Sequence, residues 1–124
     1  EAMVRAYVAL HRRGLAHSIE VWRGAELAGG LYGVAMGRMF FGESMFTRVA
    51  DASKIALAAL VQLLRNEQVP VIDCQQNTEH LGSLGAREIR RADFCAHVAA
   101  ATRKAPIDWS IYRAGTLNLL LGGC

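Results

Sequence analysis

Asp73 and Gln75 lie two positions apart in an otherwise apolar stretch, Val71-Ile72-Asp73-Cys74-Gln75. If that stretch is extended, period-two alternation sends both side chains off one face. A carboxylate beside an amide at a strand end can orient an amine or polarise a carbonyl. The same two residues could equally cap the helix expected just downstream. Glu43 follows Phe40-Phe41-Gly42. An acid there is either partly buried and paired, or faces a cleft, or is an ordinary solvent-facing group at a strand end.

Other chemistries find less support. His17 stands at a loop-to-strand junction and reads as a hydrogen-bonded structural residue, while His80 lies nearer the Asp73–Gln75 stretch. Cys95 and His97 are two apart on an expected helix, so they do not face one side together. No ligand pair has the spacing of a zinc site. No G-x-S-x-G elbow supports a serine nucleophile. Cys74, inside an apolar strand, reads as a packing residue.

The elements that must position these groups follow from periodicity. Val4, Tyr7, Val8 and His11 recur at helical spacing, predicting a helix over 1–13, with Gly14 as its left-handed cap. His17–Arg23, Leu27–Met36 and Met39–Glu43, separated by Gly24-Ala25-Glu26 and Gly37-Arg38, predict an antiparallel meander. Gly29, Gly30, Gly33 and Gly42 mark bulges or close backbone approaches within it. Asp51 is the expected N-cap of a helix from Ile55 to Leu64, apolar nearly all round and so deeply buried. Val69–Gln75 reads as a buried strand, 78–84 as a short helix closed by Gly85, and Ala86–Ile89 as a short strand. Arg91–Ala101 reads as a helix, Ile107–Ile111 as a last strand, and the chain from Arg113 as a loosely ordered tail. This order predicts an α/β fold on one mixed sheet, an antiparallel meander followed by crossover helices. Crossover units place ligands at the carboxyl ends of strands, which here are Gly42-Glu43 and Asp73-Cys74-Gln75.

The chain has 124 residues, 52% hydrophobic and 20% charged, enough apolar content for one folded domain and too much for disorder. Its longest apolar run, Ile55–Val61, is far shorter than a membrane span. A net charge of +3 permits an anionic partner without requiring one. Three cysteines with no C-x-x-C spacing argue against a disulfide framework and for a reducing, cytoplasmic setting. The sequence opens Glu1-Ala2-Met3 inside a helical pattern, with neither initiator methionine nor signal peptide, and is expected to be part of a longer protein.

Three segments, HSIEVWRGAELAGGLYG (17–33), FGESMFTRVADASK (41–54) and IDCQQNTEHLGSLGAR (72–87), resemble the bacterial leucyl/phenylalanyl-tRNA–protein transferases, in order and spacing. The resemblance implies a catalytic domain over 1–112 with the fold of GCN5-related N-acetyltransferases, followed by a variable tail, 113–124. It implies transfer of leucine, phenylalanine or, less well, methionine from aminoacyl-tRNA to the N-terminal arginine or lysine of an acceptor protein, marking that protein for degradation. It assigns Glu43 near the donor amino group and acceptor, and Asp73 and Gln75 as the catalytic pair. Gln75 either takes the acceptor amine's proton with the support of Asp73 or positions that amine, of which chemistry favours positioning. By alignment Leu31, Phe40, Leu57, Leu60 and Ile72 wall an apolar pocket for the donor side chain. Leu60 stands where relatives can carry an aromatic, and strict alternation would set Ile72 opposite Asp73 and Gln75, so that position needs a local twist or bulge. The superfamily's R/Q-x-x-G-x-G/A phosphate loop is missing, so no coenzyme A and no other cofactor is expected. The implied partners are aminoacyl-tRNA and acceptor proteins, with no DNA and no membrane, and the implied state is a monomer. The family's N-terminal tRNA-contacting domain has no counterpart, so the chain is expected to cover roughly the C-terminal half to two-thirds of an enzyme.

Two other readings stand beside this one. The first is another aminoacyl-tRNA-dependent transferase, acting on peptidoglycan precursors or using arginine. An apolar donor pocket argues against arginine. The second is a non-catalytic RNA- or protein-binding remnant.

Overall fold

A computed structural model describes residues 5, 6, 9, 11–75 and 79–112. The described residues of the first segment, 5, 6, 9, 11 and 12, are helical, and Gly14 beyond them adopts φ +77°. Three strands follow: β1 (Ala16–Arg23), β2 (Glu26–Met36) and β3 (Met39–Thr47). Helix α1 (Ala52–Asn66) leads to the short strand β4 (Ile72–Asp73), then to α2 (Glu79–Ser83) and α3 (Arg91–Ala101). A 3-10 turn at Trp109–Tyr112 completes the described chain.

The sheet order is β1-β2-β3-β4. Two-residue connections join β1 to β2 and β2 to β3, and so short a link forces antiparallel neighbours. Gly24 and Gly37 take φ +63° and +59° in those links, a conformation that costs glycine no steric strain. β4 pairs parallel to β3 in the register Phe40↔Ile72 and Phe41↔Asp73, with α1 as the crossover, so the sheet is mixed.

The chain divides into two compact units: residues Glu1–Ser18, Tyr32–Ser44 and Val71–Pro106, and residues Ile19–Leu31, Met45–Pro70 and Ile107–Cys124. In the first, Met39 and Phe40 are each 1% exposed and form the centre of the core with Ala16, Ala35 and Ala101. Phe40 owes its place to Gly33, where an added Cβ would stand 2.7 Å from two ring atoms. In the second, α1 buries Ala52, Ala56, Ala59, Leu60, Leu63 and Leu64, the i, i+4, i+7 stripe of a one-sided helix. An added Cβ on Gly29 would come within 2.7 Å of the Ala52 Cβ, so the helix lies close upon β2.

Several sequence expectations are corrected. The face of α1 carrying Ala58, Gln62 and Arg65 is exposed, so the helix is not buried all round. Asp51 holds the N-cap position with φ 67° and no capping side-chain bond; its carboxylate instead meets Lys54 Nζ at 3.3 Å. Residues 86–90 form no strand: the Ala86 N–H is taken by the Leu81 carbonyl at 3.0 Å, and Arg87, Glu88 and Arg90 are exposed. Residues 107–111 curl instead of extending, because Asp108 Oδ1 accepts the Ser110 N–H at 3.1 Å. The strand expected over 69–75 shortens to Ile72–Asp73. Pro70 has no N–H to donate, and Gln75 leaves the strand with φ +63°. Thr78, the tail from Arg113 and the His80 side chain lie outside the described set.

Candidate active site

The parallel register brings the ends of β3 and β4 together and with them the three polar candidates. Phe41 lies beside Asp73, so Gly42-Glu43 and Cys74-Gln75 continue side by side. Gly42 permits this closeness: an added Cβ would stand 3.1 Å from the Asp73 carbonyl oxygen. Gln75 Nε2 then donates twice, to the Gly42 carbonyl at 2.9 Å and to Glu43 Oε2 at 3.0 Å. Asp73 Oδ1 accepts the backbone N–H of Gln75 at 2.9 Å, an Asx turn.

This geometry corrects the same-face expectation for Asp73 and Gln75. The strand ends at Asp73, and Gln75 reaches Glu43 because its backbone turns through the left-handed region. A non-glycine residue there is strained by roughly 1 kcal/mol. The Asx bond from Asp73 and the two amide bonds hold it in place. The departure from alternation falls at Gln75, whereas Ile72 and Asp73 are successive residues of β4. Of the alternatives left open, Glu43 is exposed and paired, and Asp73 acts on the backbone of its neighbour rather than on its amide group.

The orientation of the Gln75 amide is fixed by its partners. Turned over, its oxygen would face a carbonyl and a carboxylate, both acceptors. Both N–H groups are therefore committed and Oε1 is the acceptor the residue presents. An amide oxygen is a weak base, better suited to accepting a hydrogen bond than to taking up a proton. With the Glu43 carboxylate it can receive the N–H groups of an amine.

Cys74, between Asp73 and Gln75, has its thiol pushed above the usual range by burial and by the Asp73 charge, and it stays a neutral packing group. His17 Nε2 donates to the Gly14 carbonyl at 2.8 Å, the hydrogen-bonded structural role expected of it. Burial holds its pKa below the ordinary value of 6.5. Among the described residues no group of three or more His, Cys, Asp or Glu could hold a metal ion.

The five apolar positions are not all alike. Leu31 (4% exposed), Phe40 and Leu60 (1% each) are core residues, whereas Leu57 and Ile72 are half-buried. The register sets Phe40 beside Ile72 across β3 and β4, and Leu57 and Leu60 lie one turn apart on α1. The Gly42 carbonyl was not singled out from sequence. The signal for it was present in a glycine preceding an acid at a strand end.

A mixed α/β chain with an amide–carboxylate pair at adjoining strand ends is the class these features define. A family model described as "Leucyl/phenylalanyl-tRNA protein transferase" matches residues 1–99, and the chain belongs to that family. It is 58% identical over 118 residues to the leucyl/phenylalanyl-tRNA–protein transferase of Paraburkholderia phymatum, covering 95% of this chain and 48% of that protein. The transferase of the same name from Cupriavidus taiwanensis is 64% identical over 108 residues, 87% of this chain and 43% of the relative. That of Paraburkholderia xenovorans is 61% identical over 118 residues, with 95% and 48% covered. The chain thus spans slightly under half the length of these relatives, less than the half to two-thirds expected from sequence. Among the described residues no helix is long and apolar enough to cross a membrane.

Proposed function

We infer that this chain supplies the acyl-transfer site of an enzyme moving leucine or phenylalanine, and less well methionine, from aminoacyl-tRNA to an acceptor protein. The acceptor group is the α-amine of an N-terminal arginine or lysine, and the product is a protein marked for degradation. The observation that carries this reading is the double donation from Gln75 Nε2 to Gly42 and Glu43, in a chain of this family. The donor is an ester, already activated towards amines. The acceptor nitrogen attacks its carbonyl carbon, a C–N bond forms, the ester C–O bond breaks, and the terminal adenosine hydroxyl leaves carrying a proton. Gln75 Oε1 and the Glu43 carboxylate hold the amine N–H groups during attack. Orientation of this kind is worth orders of magnitude in rate without any proton transfer to the protein. Asp73 is a positioning residue, acting through the backbone of Gln75.

The positions that the resemblance assigns to the donor side chain, Leu31, Phe40, Leu57, Leu60 and Ile72, are all apolar. An apolar wall accepts Leu, Phe and Met and leaves a charged side chain unpaired. The meander followed by a helical crossover to a parallel strand favours the acyltransferase fold of GCN5-related enzymes for residues 1–112, with 113–124 as an appended tail. The reaction needs neither coenzyme A nor a metal, and takes place in the cytoplasm with the enzyme as a monomer. The test is transfer of radiolabelled leucine to a peptide beginning with arginine, by a full-length transferase carrying this sequence. Product with that peptide, and none with its N-acetylated form, is the expected result.

A further inference from the structure

The positive charge of the chain is unevenly placed. The unit built from Glu1–Ser18, Tyr32–Ser44 and Val71–Pro106 carries nine Lys and Arg against six Asp and Glu, whereas the other unit carries five of each. Most of the excess sits in one segment, 87–104. It contains Arg87, Arg90, Arg91, Arg103 and Lys104 against Glu88 and Asp93.

All five cations are exposed. Arg90 is engaged by Asp93 at 3.0 Å. Arg87, Arg91, Arg103 and Lys104 have no carboxylate partner among the described residues. Helix α3 joins the two basic ends and, at 11 residues, spans roughly 16 Å. Its inner side carries the half-buried Phe94, His97 and Val98. Its exposed residues between the cations are the small, uncharged Ala92, Cys95, Ala96, Ala99 and Ala100, together with Asp93, whose carboxylate is engaged by Arg90. The far end is fixed by the β2–β3 turn: the Arg38 N–H donates to the Ala101 carbonyl at 2.9 Å. An added Cβ on Gly37 would stand 2.6 Å from that same oxygen. Arg38 is thereby brought to the end of α3 that carries Arg103 and Lys104.

We propose that the outer side of residues 87–104, two basic ends joined by α3, binds the sugar–phosphate backbone of the RNA donor. Arginine predominates, and its planar fork suits phosphate oxygens. The small side chains that predominate between the ends let a polyanionic strand lie close along the helix. An acidic polypeptide is the other class of polyanion, but it would have to hold its carboxylates over the same roughly 16 Å, whereas a nucleic-acid backbone carries charge continuously. The proposal rests on the reading that the donor is an aminoacyl-tRNA.

Filter binding of unacylated tRNA to the chain over a salt series tests it. Each phosphate contact contributes about 0.7–0.9 to the slope of log K against log salt. Replacing Arg91, Arg103 and Lys104 together by Gln should make the slope shallower by about 2 or more. Replacing Arg23, Lys54 and Arg65 by Gln removes the same charge from the other unit and should change it by less than about 1. Circular dichroism melts of both triple variants check that the fold is retained. Equal changes in the two variants, or none in the first, overturn the proposal. So does displacement of tRNA by poly-L-glutamate as readily as by unlabelled tRNA. Binding through this surface without any transfer activity counts against the proposed reaction alone, because unacylated tRNA is bound without transfer.

Discussion

Gln75 Nε2 lies 3.0 Å from Glu43 Oε2, a bond between residues 32 positions apart that exists because β4 runs parallel to β3. Both groups are exposed, so the bond adds little to stability and its value is in aiming the amide. Glu43→Ala should leave the melting temperature within a few degrees and slow transfer by about 10–100-fold. Single-turnover rates measured beside thermal melts of the same variant separate the two effects.

The left-handed backbone of Gln75 gives a second outcome. Gln75→Gly and Gln75→Ala both remove the amide, but only glycine relieves the strain of φ +63°. The glycine variant should be more stable than the alanine variant by about 1 kcal/mol, with transfer impaired in both. Urea unfolding of the two variants checks the order.

Much of this arrangement could be read from residue types. The meander, the crossover helix and α3 announce themselves by a change of period and by Gly-x turns, and Asp73, Gln75 and Glu43 stand out as polar groups at apolar strand ends. What escaped was local backbone geometry. Alternation alone cannot show that Gln75 turns left-handed, or that Asp73 spends its carboxylate on a backbone N–H. Residues 107–111 read as a strand because Ile107, Trp109 and Ile111 alternate, yet the Asp108 side chain captures the Ser110 N–H and the chain curls. Asp51 is a favourable capping type, but its left-handed backbone leaves its carboxylate to Lys54.

Donor choice should follow the apolar wall. Leu60 is 1% exposed, so Leu60→Phe should lower stability by about 1–3 kcal/mol through overpacking. It should also shift the ratio of kcat/KM for leucyl- and phenylalanyl-tRNA by about 1 kcal/mol or more. Competition between the two donors measures the ratio. An unchanged ratio removes Leu60 from the pocket.

His17 makes stability depend on pH. Burial lowers its folded-state pKa below 6.5, so between those two values the unfolded chain binds the extra proton. Its contribution is therefore fully present above about pH 6.5 and declines as the pH falls below it towards the folded-state value. Melting curves from pH 8 down to pH 5 should show a decline that His17→Gln reduces.

Thiol reactivity should divide the two described cysteines. Cys95 is exposed, whereas Cys74 is half-buried and its thiol is raised beside Asp73. Iodoacetamide at neutral pH should label Cys95 well before Cys74, as read by peptide mass mapping.

The central claim is that Gln75 positions the acceptor amine and takes no proton. Single-turnover transfer rates across pH, for Gln75→Ala and Asp73→Asn in a full-length transferase carrying this sequence, test it most directly. Gln75→Ala should slow transfer by about 10–100-fold, and Asp73→Asn by less, because an asparagine oxygen still accepts the Gln75 N–H. In both variants the pH at which the rate saturates should stay that of the acceptor amine. A near-normal rate in Gln75→Ala, or a displaced pH profile in Asp73→Asn, would contradict the account.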